Sequence, residues 1–257
     1  MNLRHFFIYA LAVAMFFGCA SNDTPEVSSA TIDYYFANDT AFGEGAVNFS
    51  TGNAVWTIEK AMMVAGEIGI HWEEPNAPRG IRHDVPGGKI SPKIYGYFAV
   101  DLLKTQNIQK LKVPDEGKYS HIHMIITNDE YVKTLGDTVK NIKNYSELKG
   151  RSFYFSGIVG DDKTQYPFEL YSLETFDENS MGDITFNLPV YEGDAFSFYI
   201  SPKLERWFTP IRFELLRPNE DGKIIIHEKS NATAYLAFRQ RFTENKSMNL
   251  VIKNEKK

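Results

Sequence analysis

Beyond residue 30, apolar and polar positions alternate in short runs separated by Gly, Pro, Asn and Asp. Period-two alternation places every second side chain on one face, as in a half-buried strand. In residues 152–158, Phe153, Phe155 and Gly157 face one way, and Tyr154, Ser156 and Ile158 the other. In residues 183–188, Ile184, Phe186 and Leu188 share a face. This pattern predicts strands over 31–36, 46–49, 54–64, 67–72, 94–102, 109–113, 118–127, 151–159 and 166–174. Further strands are expected over 183–189, 195–200, 211–215, 222–227, 232–238 and 248–252. Turn residues cluster at Gly87–Gly88, Gly160–Asp162, Glu192–Asp194 and Asn219–Gly222. Only residues 129–144 show helical spacing, through Val132, Leu135, Val139 and Ile142, and Gly136 weakens that helix by ~1 kcal/mol relative to Ala. The expected fold class is therefore all-β, an antiparallel β-sandwich of immunoglobulin or transthyretin type, with at most one short helix near 129–144.

The first nineteen residues have a different texture. Residues 6–17 (FFIYALAVAMFF) are uninterruptedly apolar, behind a short start carrying Arg4. Such a run fits the apolar core of a signal peptide and falls short of the ~20 residues that span a bilayer. Gly18 and Cys19 follow. Phe16-Phe17-Gly18-Cys19 resembles a bacterial lipoprotein signal, although such signals usually carry Leu and then Ala or Ser where Phe16 and Phe17 stand. The resemblance implies lipid on the Cys19 thiol and, with Ala20 rather than Asp next, an outer-membrane lipoprotein of a Gram-negative-type bacterium. The expected organisation is a signal peptide over 1–18, a flexible tether over 19–30 and a β-sandwich body over 31–257. Cys19 is the sole cysteine, so a lipidated chain has no disulfide and no thiolate ligand in its body.

Composition narrows the partners. The 257 residues are 43% hydrophobic and carry a formal net charge of −5, which fits a globular body and argues against a nucleic-acid footprint. Cleavage after Gly18 removes Arg4 and makes the body more acidic still. Electrostatics alone would not draw it to an anionic leaflet, so the N-terminal lipid is the expected membrane contact.

Two stretches of the body carry a second resemblance. Residues 97–103 (YFAVDLL), followed by 113–126 (VPDEGKYSHIHMII), and the later 151–170 (RSFYFSGIVGDDKTQYPFEL) are similar to DUF4382-like secreted or lipid-anchored proteins of unknown function. Trp207–Phe208, residues 222–226 and Asn231 resemble that group's closing segment. The likeness spans roughly 54–252 and implies a β-sandwich on a surface tether. That group has no settled catalytic residues, so none are carried over. The irregular stretch 73–92 around His83 departs from the pattern.

The candidate chemistry lies in histidines and aromatics. His121 and His123 sit two apart on a strand, so both imidazoles point the same way and can reach one ion. Glu67 and His71 share the face opposite Ile68, Ile70 and Trp72. If that strand neighbours 118–127, His71 completes a three-imidazole set, and His83 is a fourth donor. A sulfur-free imidazole set suits Cu or Zn. On the same strand, Ser120, Ile122, Met124 and Ile126 are the expected core face. Trp72 and Trp207 are candidate stacking platforms for a glycan. No G-x-S-x-G, H-E-x-x-H, P-loop or G-x-G-x-x-G is present. The expectation is a non-catalytic, lipid-anchored binding or accessory protein of the cell envelope that requires no cofactor. Its alternatives are a Cu- or Zn-binding protein and a carbohydrate-binding or adhesin/fimbrial-type module. Glycan, metal ion or protein are its candidate partners.

Overall fold

The computed structural model describes residues 29–38, 45–72, 92–113, 116–177, 180–245 and 247–255. Cys19 and His83 lie outside the described residues, as does the side chain of Trp72. Thirteen strands run in chain order among them. They are β1 (Ala30–Phe36), β2 (Val47–Thr51), β3 (Ala54–Trp72), β4 (Lys93–Asp101), β5 (Gln106–Val113), β6 (Gly117–Ile126), β7 (Val139–Lys140), β8 (Phe153–Gly160), β9 (Gln165–Ser172), β10 (Ile184–Val190), β11 (Ala195–Pro202), β12 (Ile224–Ile226) and β13 (Met248–Asn254). The helices are α1 (Asp129–Thr134), α2 (Leu204–Phe208) and α3 (Ala232–Thr243).

The architecture is all-β and sandwich-like. A four-stranded sheet has the order β13-β11-β1-β5. A nine-stranded sheet runs β10-β6-β3-β8-β9-β12, with β2 and β4 also on β3, and β7 on β4. The two sheets bury their facing side chains in one core. Ile32, Tyr34 and Phe36 of β1 and Phe196, Phe198 and Ile200 of β11 come from the small sheet. Ile58, Met63, Ile122, Phe153 and Phe155 come from the large one. Pairing is mostly antiparallel, as alternation predicts. It departs from a purely antiparallel sandwich at three parallel pairs: β1 with β11, β9 with β12, and β4 with β7.

The chain departs from its strand-only reading in two other places. Residues 232–238, expected as a strand, open α3. Tyr235, Phe238 and Phe242 are fully buried there at helical spacing. Each buried aromatic contributes about 1.5–3 kcal/mol of transfer free energy, which outweighs strand propensity. Residues 213–215 form a 3-10 turn rather than a strand. Conversely, the helix expected over 129–144 stops at Thr134. Gly136 (φ 76°) turns the backbone left-handed, and β7 and two 3-10 turns follow.

Two bulges decide what the large sheet shows to its outer face. On β3, Ala61, Met63 and Ala65 enter the main core, but beyond Glu67 the inward residues are Ile68 and Ile70. Glu67 has φ 47°, and the β3–β6 register shifts between Gly66 and Gly69. The extra residue inverts the strand's phase. Without it, position 71 would face the core; with it, Gly69 and His71 face outward. On β6 the register shifts again between the pairs His71–His121 and Trp72–Tyr119, leaving Ser120 bulged. Tyr119 therefore turns inward and is fully buried, while Ser120 is half-exposed. The expected core face is thus corrected at this end: Ile122, Met124 and Ile126 are buried, with Tyr119 in place of Ser120.

Candidate functional site: a histidine cluster on the large sheet

The outer face of the large sheet is partly covered. Met62 and Val64 of β3, Tyr97 and Ala99 of β4 and Tyr154 of β8 form a second small core with Val132, Val139 and Leu148. The histidine cluster begins beyond the Glu67 bulge, where that small core ends. There β6 and β4 flank β3, so that Gly69 has His123 on one side and Lys93 on the other. His71 is opposite His121, and Thr185 of β10 is the next residue outward from His121.

Sheet register therefore assembles the three histidines that the sequence singled out. The His71 and His121 rings stack in parallel, with centroids 4.6 Å apart and planes within 3°. The His71 and His123 rings are tilted by 48°, with centroids 4.4 Å apart, and His71 Nε2 contacts His123 Nδ1 directly. These two relations differ chemically. Imidazole binds protons and metals through lone pairs lying in the ring plane. Two parallel stacked rings keep their lone pairs in separate planes, whereas the His71–His123 contact is nitrogen to nitrogen. Of the expected imidazole set, His71, His121 and His123 are thus brought together on one face. Among the described residues, no group of three or more His, Cys, Asp or Glu side chains is arranged to hold one ion. The cluster is a facing pair plus a stacked third ring.

Residues that the sequence reading passed over hold this pair in place. A Cβ on Gly69 would lie 2.5 Å from His123 Cε1, so the imidazole rests on bare backbone. Gly66 does the same for Tyr97, whose Cδ1 would be 2.2 Å from such a Cβ. Ser120 Oγ lies 3.0 Å from His121 Nδ1. Gly69 two positions before His71, on the same outward face, was the available signal: a residue without a side chain beside one that must be approached. Glu67 is engaged elsewhere. Its carboxylate accepts from Lys93 Nζ at 2.5 Å and from the Tyr97 hydroxyl at 3.3 Å. Burial first, and then the Glu67 charge and hydrogen bond, push the Tyr97 phenol up to about 12.

The aromatic candidates divide differently. Trp207 is fully buried and its indole Nε1 donates to the Ser247 carbonyl at 2.8 Å. It packs edge-on against Phe242 with centroids 5.0 Å apart. It is a core residue and offers no face to a sugar, because Phe155 of β8 and Phe238 and Phe242 of α3 enclose its ring. Trp72 closes β3, its backbone in register with Tyr119.

No family model matches the chain, and no curated protein or solved structure matches it either. The functional reading therefore rests on the residues themselves.

Proposed function

We propose that this chain is a lipid-anchored, non-catalytic protein of the bacterial cell envelope that binds a transition-metal ion at the His71–His123 pair. One observation carries the reading: the nitrogen-to-nitrogen contact of two imidazoles whose orientation is fixed by the Glu67 bulge and the Gly69 floor. Solvated histidines on a sheet's outer face would have no reason to meet in this way. Two imidazole nitrogens turned toward one another offer in-plane lone pairs that a cation can share once neither carries a proton there. The Phe16–Cys19 motif supports the anchor, at Cys19 of an outer-membrane lipoprotein resembling the DUF4382-like group. The facing of two sheets over an aromatic core supports an immunoglobulin- or transthyretin-like sandwich.

The test is equilibrium metal titration of the detergent-solubilised full chain. Wild type is expected to take up one equivalent of Cu or Zn, and His71→Ala with His123→Ala to take up none. Wild type without uptake at micromolar metal contradicts the metal reading. Labelled palmitate should enter the wild type and not Cys19→Ser; label retained in the variant contradicts the anchor.

A further inference from the structure

We propose that the excursion between β6 and β8 carries a second binding site, for a carboxylate-bearing sugar of the hexuronate class. None of its residues belongs to the histidine cluster, so it stands apart from the metal reading.

The excursion is clasped at its root. The Thr127 N–H donates to the Val64 carbonyl at 3.0 Å, and the Val64 N–H donates to the Ser152 carbonyl at 2.9 Å. The chain thus leaves and rejoins the large sheet at one residue of β3. The Asp129 carboxylate accepts from the Gly150 N–H and ties the two stems together. Compact surface loops whose ends meet are frequently functional. Here Val132, Val139 and Leu148 also anchor the segment in the small core on the outer face. The segment held in this way encloses a cleft of about 550 Å³. That size suits a small organic molecule, and a lone inorganic anion would fill little of it.

The chemistry of the wall selects the ligand. Val139 and Ile142 are its apolar lining, and Thr138, Asn141 and Asn144 supply a hydroxyl and two amides. Asn141 has φ 64°, a left-handed backbone that opens the 3-10 turn Ile142–Asn144. Residues three apart eclipse in such a turn, so the two amides fall on one side of it. An amide both donates and accepts, so it can pair with a hydroxyl in either sense. An apolar surface rimmed by such partners matches a pyranose, whose ring carries C–H groups on its faces and hydroxyls around its edge.

Charge narrows the class further. Two ammonium groups line the cleft, and they differ. Lys133 Nζ is held by Asp129 at 2.6 Å, which leaves that pair neutral. The Lys143 side chain has no ion pair and no hydrogen bond among the described residues. Its ammonium is the uncompensated charge at the cleft, and a ligand carboxylate compensates it. A cationic or zwitterionic ligand has no such match, because Lys133 and the Gly150 N–H already occupy both Asp129 oxygens.

The experiment is a nitrogen-15 NMR titration of the detergent-solubilised full chain with glucuronate, galacturonate, glucose and inorganic phosphate. The side-chain amides of Asn141 and Asn144 report the position of binding. At least one uronate should shift both amides with a Kd of about 1 mM or tighter, and glucose and phosphate should each bind at least about tenfold more weakly. Lys143→Gln should weaken uronate binding about tenfold or more, the worth of one charge-assisted hydrogen bond. Asn141→Gly keeps the left-handed turn and deletes one amide, so it should weaken binding as well. Lys143 and Asn141 are both exposed, so these variants should fold. His71→Ala with His123→Ala should bind uronate as wild type does. Amides unmoved by both uronates, or uronate binding unchanged in Lys143→Gln, would overturn the site. Glucose bound as tightly as uronate would overturn the carboxylate, and phosphate bound as tightly would overturn the sugar. Each of these failures leaves the metal reading untouched.

Discussion

At the scale of single residues, the buried polar atoms make the sharpest predictions. Tyr34 is fully buried in the core between the sheets, and its hydroxyl has no hydrogen-bond partner among the described residues. Burial, with a smaller contribution from Tyr119, pushes that phenol well above its ordinary pKa. An unpaired buried hydroxyl costs about 1–3 kcal/mol, so Tyr34→Phe should leave the fold unharmed or stabilise it by about 1 kcal/mol. Urea unfolding measures this, and a loss of stability would show that the hydroxyl has a partner. Gly66 gives the opposite sign. Its missing Cβ leaves room for the Tyr97 ring, so Gly66→Ala should cost about 1–3 kcal/mol through overpacking. Trp207 is the third case. Trp207→Ala should cost about 3–5 kcal/mol, as for other large-to-small core changes, without altering metal affinity in whatever fraction remains folded.

At the scale of elements, helix α1 is short and held by its ends. Asn128 caps it by accepting from the Tyr131 N–H at 2.8 Å. Asp129 accepts from Lys133 Nζ and from the Gly150 N–H, both at 2.6 Å, which ties the helix to the turn before β8. Burial alone would raise the Asp129 pKa, but these hydrogen bonds and the Lys133 charge outweigh it and hold it below its ordinary 3.8. A lowered carboxyl pKa contributes stability that is full above the unfolded value and fades as pH falls through the folded one. Asp129→Asn should therefore cost about 1–2 kcal/mol at neutral pH, with the gap closing in acid below the ordinary carboxyl range. Unfolding measured from pH 7 down to 2 checks this, and a gap constant over that range would mean that charge plays no part. The two helices flanking this scale were unequally legible. Val132, Leu135, Val139 and Ile142 announced a helix that Gly136 then ended. In α3, Ala, Leu and aromatic residues filled adjacent positions and read as a strand. Only the exposure of Leu236 beside buried Tyr235 shows the helical face, and exposure is a tertiary fact.

At the scale of the whole molecule, alternation made the all-β class legible, because strands such as β1 and β2 bury one face in the shared core and turn the other toward solvent. It could not show which strands pair, since pairing between residues as distant as 35 and 199 depends on the closed core. The histidine cluster was legible to the same degree. His121 and His123 announced a shared face, and His71 needed only adjacency of β3 and β6. Their angles were not legible, because two one-residue bulges set them, and a bulge leaves no mark in composition. Metal binding at this face should be felt by the entire fold. A ligand at 100 times its Kd adds about 2.7 kcal/mol to the native state. For a body of this size that corresponds to a rise in Tm of about 5–10 °C, visible by calorimetry in wild type and absent in His71→Ala. An equal rise in both proteins would place the ion elsewhere.

The most direct measurement is nitrogen-15 NMR of the imidazole rings during titration with Zn(II), which is diamagnetic. The account predicts that His71 Nε2 and His123 Nδ1 move together and saturate at one equivalent. The ring nitrogens of His227, away from the cluster, should stay in place. Unmoved His71 and His123 nitrogens, or saturation only after several equivalents with every histidine shifting alike, would contradict a built site at this pair.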